Sequence, residues 1–414
     1  MTDTLIEEHV ESAEDAAFRA ELEGWLRENP APVGGAGGFA QDDAVRAASA
    51  EWQRDFADAG YIAVTYPKAY GGRGGTTRQQ AIVGEELAGR GAVIPAGIGV
   101  SMVAPTILAH GTDEQKEQFL LPTLRGDLAW CQLYSEPGAG SDLAGLSTRA
   151  ERDGDEWIVN GQKVWTTQAH IADYAILLAR TDPDQPKHRG ITYFLIDMHQ
   201  PGIEVRPLRQ LTGEAHFNEV FLTDARVPHH NVLGDVNGGW GVSMTTLLHE
   251  RMLMSGTGGG SGGGGGRQGK IERMIELAAR MGKTSDPVVR QGLADGYIRS
   301  QLQRYLGLRL QAARGGPSGP HPSLLKLNNA WLQKRLDDLA LSILGPTGTL
   351  WAGDAPDNGA WQQDFLTSIQ LRIAGGTDQV QLNVIGERVL GLPPEPRADK
   401  DIPFRDVPNN AARR

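Results

Sequence analysis

Apolar positions along this chain change their period twice. From about residue 12 to 125 they recur at spacings of three and four. Phe18, Leu22, Trp25 and Leu26 share one helical face, and Trp52, Phe56 and Ile62 follow on a second. Thr77 to Gly91 reads as a further helix after the turn-rich loop Pro67-Lys-Ala-Tyr-Gly-Gly-Arg-Gly-Gly75. Another helix opens at Gly111-Thr-Asp-Glu-Gln-Lys116, with Thr112 or Asp113 as cap and acidic residues in the first turn, and ends near Leu124. From about 126 to 236 the period falls to two. Strands are predicted over 128–134, 156–160, 163–168, 174–180, 191–198, 203–210 and 217–223, with a hairpin turn at Asn160-Gly161. Helical spacing returns over roughly 238–255, 267–283, 286–314, 322–345 and 360–389. These blocks predict an α+β multidomain chain. An N-terminal helical domain spans 1–125, a middle antiparallel β-barrel or sandwich 126–236, a C-terminal helical bundle 237–400 and a tail 401–414.

One run breaks the last block. Gly258 to Gly266 is a stretch that no helix would choose, and it reads as a flexible excursion. Gly264 to Lys270 spells G-x-x-x-x-G-K, but Ile271 stands where a phosphate loop needs Ser or Thr and no strand precedes it, so that reading is rejected.

Composition narrows the function. The 414 residues carry a net charge of −11, which argues against a general nucleic-acid or anionic-membrane surface. A polyanionic ligand would need a local basic pocket, for which Arg206 with Arg209, or Arg267 with Lys270, are candidates beside the plainer reading of solvated charge. The one cysteine, Cys131, excludes an internal disulfide, fits a reducing compartment, and sits where strand alternation makes it core. The acidic start (Glu7, Glu8, Glu11, Glu14, Asp15) resembles neither a signal nor a transit peptide, and no apolar run approaches membrane-spanning length. A cytoplasmic location is the expectation. His229 and His230 lack a third ligand at metal spacing, so no metal is assigned.

Chemistry concentrates in two segments. Cys131-Gln-Leu-Tyr-Ser-Glu-Pro-Gly-Ala-Gly-Ser-Asp142 runs from a strand into a loop of small hydroxyl and backbone donors, suited to the edge of a flat heterocycle. Asn160-Gly-Gln-Lys-Val-Trp-Thr-Thr167 then offers Trp165 as a ring to lie against such a group and Thr167 as a hydroxyl to bond it. Alone, the first is equally well a surface loop and the second a hairpin with a core Trp. Taken in order, and followed by Ile171-Ala-Asp173, they resemble the acyl-CoA dehydrogenase family of flavoproteins.

The resemblance implies FAD as cofactor, an acyl-CoA as substrate, and a base that removes the α-proton while the flavin accepts the β-hydride. Many members keep the base in a C-terminal Tyr-Glu-Gly-Thr motif. Here that segment reads Ile373-Ala-Gly-Gly-Thr-Asp-Gln379, with Gly375 where the glutamate would stand. Isovaleryl-CoA and long-chain acyl-CoA dehydrogenases carry the base on an earlier helix in a Glu-Arg pair, matched here by Leu247-Leu-His-Glu-Arg-Met252. Helical spacing surrounds Glu250 with Thr246, Leu247, Leu253 and Met254, a mostly apolar setting that raises a carboxylate's pKa. The alternative is a Glu250 paired with a cation on a solvated face.

The remaining site follows from the resemblance. Leu133, Ser135, Gly140, Ser141, Trp165 and Thr167 would contact the flavin, and Ser141 and Arg251 would line the substrate site. The Gly375 N–H would help hold the thioester carbonyl, and Thr377 and Gln379 would meet the adenine end of FAD. The family's Arg-x-x-Phe-Gly segment becomes Arg280-Met-Gly-Lys283, so Arg280, with Gln291 downstream and Arg290 as competitor, is the candidate for the pyrophosphate. The Gln-x-x-Gly-Gly-x-Gly segment becomes Ser342-Ile-Leu-Gly-Pro-Thr-Gly348 and loses its Gln. The implied partners are an electron-transfer flavoprotein or similar acceptor and further subunits, as homodimer, homotetramer or heteromer. An oxidase or monooxygenase on the same scaffold, and a non-catalytic FAD-site partner, are the alternatives.

Overall fold

The computed structural model describes residues 11–32, 43–90, 92, 97–254, 267–312, 322–396 and 399–408. The Gly258–Gly266 run lies outside them.

Among the described residues five α-helices come first: α1 (Ala13–Glu28), α2 (Asp43–Asp58), α3 (Thr77–Gly89), α4 (Ala104–His110) and α5 (Asp113–Arg125). Helix α5 begins in a capping box, with Thr112 accepting from the Gln115 N–H and the Gln115 side chain accepting from the Thr112 N–H. The aromatic positions on α1 and α2 form the heart of this block. Trp52 stacks on Phe56 at 4.7 Å between ring centres, and Trp25 lies 5.1 Å from Phe56.

The middle sheet holds β1 (Trp130–Leu133), β2 (Arg149–Asp153), β3 (Glu156–Thr167), β4 (Tyr174–Arg180), β5 (Ile191–Asp197), β6 (Ile203–Leu208) and β7 (Phe217–Pro228). Its order is β1-β4-β2-β3-β7-β6, with β5 beside β4. Most neighbours are antiparallel, but β1 and β2 meet β4 in parallel, so the sheet is mixed. The expected turn at Asn160-Gly161 is not a turn. It lies inside β3 at a register shift, where Asn160 and Asp224 exchange two hydrogen bonds of 3.0 Å. A Cβ at Gly161 would meet Thr148 Oγ1 at 2.3 Å, so glycine serves close strand approach here. The true hairpin joins β2 to β3 around Gly154, whose φ is +62°. Strand β2 has no apolar alternation to announce it, because only Ala150 of its five residues is buried.

Among the described residues six α-helices follow the sheet: α6 (Gly239–Met254), α7 (Arg267–Arg280), α8 (Pro287–Ala312), α9 (Pro322–Leu344), α10 (Ala360–Gln370) and α11 (Asp378–Val384). The continuous helix expected over 360–389 breaks between α10 and α11, where Gly375 and Gly376 take φ of +65° and +91°. Thr377 then caps α11, accepting from the Val380 N–H.

Strand β1 is where the helical and β cores meet. Trp130 and Tyr134 face the core built on the N-terminal helices, whereas Cys131 and Leu133 face the core between the strands. Alternation puts Gln132 on the helical side, between Trp130 and Tyr134. Among the described residues no helix is long and apolar enough to cross a membrane.

Candidate active site

Helix α6 carries Glu250 into the junction of the three blocks. One turn earlier, Thr246 accepts or donates hydrogen bonds with Thr106 of α4 (3.1 Å) and Tyr193 of β5 (3.0 Å), which anchors the helix to both. Glu250 keeps partial access to solvent, yet the atoms crowding its carboxyl push its pKa above the ordinary carboxylate value. The Gln132 amide of β1 reaches it, and the charges of Arg251 and Lys326 act with that amide to offset part of the rise. Arg251 is half-buried and turns its Nε to the Leu247 carbonyl at 3.0 Å.

Lys326 ties the C-terminal turn to this place. It is almost fully buried on α9 and donates from Nζ to the Gly376 carbonyl at 2.6 Å. Gln381 of α11 donates to the Gly375 carbonyl at 2.9 Å. Glu250, Gln132, Lys326 and the Gly375-Gly376 turn therefore form one neighbourhood, assembled from α6, β1, α9 and the break before α11. Neither Gln132 nor Lys326 was a candidate in the sequence. A signal existed for Lys326, which stands on the otherwise buried face of α9 formed by Ser323, Leu327 and Ala330.

The same strand leads to the second neighbourhood. Beyond Leu133, the Ser135 carbonyl accepts from the Val164 N–H of β3 at 2.9 Å, so the start of the loop is sewn to the strand that carries Trp165 and Thr167. A buried ion pair secures the seam. Lys163 Nζ donates to Glu136 Oε1 at 2.9 Å and to the Tyr134 carbonyl at 3.0 Å. Burial alone would raise the Glu136 carboxyl, but the Lys163 charge and the Ser147 and Thr148 donors outweigh it and hold it at about 2. Trp165 has φ of +61°, rare for so bulky a residue, and its ring stands 63% exposed with its edge toward Phe217. Gly140 and Ser141 are exposed, and nothing lies within 4 Å of a Cβ placed on Gly140. An exposed indole, small loop residues and the half-buried Thr167 hydroxyl fit the edge of a flat ring system.

The remaining candidates lie apart from these. Arg280 makes a bidentate pair with Asp357, both contacts at 2.7 Å, in an open groove of about 700 Å³ that includes Arg273 and Trp361. Its charge is already matched within the chain. Gln291 and Gln379 are exposed, and Arg290 donates to the Thr284 carbonyl at 3.2 Å. The fit to FAD is therefore good at the ring end and poorer at the pyrophosphate end. His229 accepts from the Trp157 indole at 3.1 Å, a packing role between β3 and the loop after β7.

Comparison with known proteins bears on the family and the fold. The acyl-CoA dehydrogenase N-terminal, middle and C-terminal domain families match residues 12–127, 131–225 and 237–390. Acyl-CoA dehydrogenase IpdE1 of Mycobacterium tuberculosis is 36% identical over 387 residues, covering 91% of this chain and 98% of that one. Acyl-CoA dehydrogenase FadE34 of the same organism is 43% identical over 342 residues, which span 81% of this chain and 45% of that longer protein. Among solved structures, the steroid ACAD Tcur3481-Tcur3483 matches with TM-score 0.76 and 29% identity, covering 93% of this chain and 99% of that one. The ChsE4-ChsE5 complex from Mycobacterium tuberculosis matches with TM-score 0.74 and 30% identity, covering 92% and 98%. With its three domain types in order and a relative matched almost end to end, this chain belongs to the acyl-CoA dehydrogenase family of flavin oxidoreductases.

Proposed function

We propose that this chain dehydrogenates an acyl-CoA thioester between Cα and Cβ, with Glu250 removing the α-proton. The observation that carries the proposal is the Glu250 carboxyl on α6, crowded enough to be a stronger base than a solvated carboxylate and facing β1 at the seam of the candidate ring site. When bound, FAD supplies the hydride acceptor at N5. Leu133, Ser135, Gly140, Ser141, Trp165 and Thr167 are assigned to its ring. Ser141 and Arg251 are assigned to the substrate, and Thr377 and Gln379 to the adenine end. The Gly375 N–H is assigned to the thioester carbonyl, where a donor stabilises the negative charge that grows on oxygen as the proton leaves. Lys326 fixes that turn through the Gly376 carbonyl. Electrons leave to an external acceptor such as an electron-transfer flavoprotein, and the chain works in the cytoplasm as an oligomer.

Two finer readings follow. The likeness to a protein described as a steroid ACAD supports a bulky, ring-bearing acyl group over a plain fatty acyl chain. The Arg280–Asp357 pair, together with Ser342 in place of a Gln, supports a heteromer in which another chain completes the pyrophosphate end of the cofactor site. Purified protein, alone and with candidate partner chains, should be tested by absorption spectrum and then by anaerobic bleaching with aliphatic and ring-bearing acyl-CoAs. Bleaching by one class identifies the substrate. A colourless protein that takes up no flavin under any of these conditions would end the proposal.

A further inference from the structure

The C-terminal segment makes contacts that the proposed chemistry leaves unused. Residues 399–408 lie along the β4–β5 connection, residues 181–190. The Phe404 N–H donates to the Gln185 carbonyl at 2.9 Å, the Arg405 N–H donates to the Pro183 carbonyl at 3.0 Å, and Pro403 bridges Pro186. Arg405 also pairs with Asp184. The connection itself is tight, since a Cβ on Gly190 would sit 1.9 Å from the Asp182 carbonyl oxygen.

From this connection and from the end of β4, two side chains reach the loop that carries Ser141. Lys187 Nζ lies 2.5 Å from Asp399 Oδ2 and 3.0 Å from each oxygen of Asp142, so one ammonium joins the segment to the loop tip. Arg180 is buried and donates to the Lys187 carbonyl (2.7 Å), the Ala144 carbonyl (2.7 Å) and the Leu146 carbonyl (3.2 Å). The Phe404 ring covers that guanidinium with its centre 3.7 Å from Cζ. Removing the segment would expose Arg180 to water and leave Lys187 with a single partner. Both changes loosen the same loop.

We infer that residues 399–408 are a positioning element, which holds the Gly140–Leu146 loop in its ligand-binding register through Asp399–Lys187–Asp142 and Phe404–Arg180. The inference rests on the assignment of Ser141 to the flavin and acyl-CoA. None of the segment's residues touches the reacting atoms, so the effect falls on substrate binding rather than on proton removal.

The test compares the full protein with Phe404→Ala, Asp399→Asn and a chain ended after Pro396. Amide hydrogen exchange of a peptide covering 138–148 and the KM and kcat for the bleaching acyl-CoA are measured in each. Each point variant should speed exchange and raise KM about threefold, the range of one partly exposed ion pair or cation–π contact. The truncation should raise KM about tenfold, with kcat within about twofold of the full chain. In the truncated chain Lys187→Met should add less than it does in the full chain, because only its bond to Asp142 is left to lose. Unchanged exchange in Phe404→Ala and the truncation would overturn the inference, as would faster exchange with KM unmoved. Failure of the acyl-CoA assignment looks different: the unmodified protein would bleach with no thioester, while the exchange measurement still decides whether the segment holds the loop.

Discussion

Glu136, just beyond β1, and Glu250, on α6, are two crowded carboxylates with opposite electrostatic fates. Burial penalises the charge on both. At Glu136 the penalty is overcome: Lys163, the Ser147 N–H and hydroxyl, and the Thr148 N–H all donate to it within 2.9 Å, and its pKa falls to about 2. At Glu250 the help comes from the Gln132 amide and from the charges of Arg251 and Lys326, and the pKa stays raised. A saturated carboxylate is a fastener. It holds the loop to β3 and has nothing left to give. An under-supplied carboxylate at the open junction retains the affinity for a proton that a base needs. The number of donors, more than depth, separates the structural acid from the proposed base.

The sharpest way to break this contrast is to neutralise each in turn. Glu250→Gln should lower the rate of flavin bleaching about 10²–10⁴-fold, the span of a lost general base, while flavin content and melting temperature hold. Normal bleaching in that variant would remove Glu250 from the mechanism. Glu136→Gln should instead cost about 3–5 kcal/mol of stability, because it strands the Lys163 ammonium in the core, and denaturant midpoints measure this. Adding Lys163→Met should restore much of the loss. If the double variant is no more stable than the single, the pair is not what secures the seam.

The two carboxylates also respond to pH with opposite signs. The Glu136 pKa is depressed from its ordinary 4.5 to about 2, so its stabilisation is present above the ordinary value and fades as pH falls from 4.5 toward 2. The stability gap between the native chain and Glu136→Gln should close over that window. The Glu250 pKa is raised, so its charged, proton-accepting form builds up at higher pH than that of an ordinary carboxylate. Bleaching should therefore rise with pH along a limb displaced upward from that range. A limb at the ordinary carboxylate value would mean that the base is solvated.

Much of this arrangement is legible in the chain, for physical reasons that also mark the limits. Period alone separates the helical blocks from the strands, and the Thr112–Gln115 cap is local chemistry that needs no tertiary context. Asn160-Gly161 misleads because a sequence that favours a turn also suits a bulge, and only the approach of Thr148 decides between them. Strand β2 is silent, since a ribbon with one buried side chain leaves no alternation to read. The break at Gly375-Gly376 is legible as two glycines inside an otherwise periodic stretch, and their backbone freedom outweighs that period. Gln132 and Lys326 are different. Their importance comes from what α6 and α9 bring beside them, and a polar residue within a strand or helix does not announce its partner. The Arg280–Asp357 pair spans 77 positions, a separation at which spacing says nothing.

The finest probe of the comparison is the amide that Glu250 does receive. Gln132 sits on the helical face of β1, and its amide favours the charged carboxylate, which lowers the pKa against the effect of burial. Replacing it with leucine keeps the bulk and removes the donor. The proton is then held more tightly, so the bleaching limb should move to still higher pH. Above the limb the base is charged in both proteins, and the plateau rates should agree within about twofold because the bonding that remains is set by α6 rather than by β1. The corresponding test at Glu136, Ser147→Ala, removes one donor of several and should leave the loop folded. A limb that stays in place in Gln132→Leu would show that the amide does not serve the carboxylate. The contrast between a supplied acid and a starved one would then rest on Arg251 and Lys326 alone.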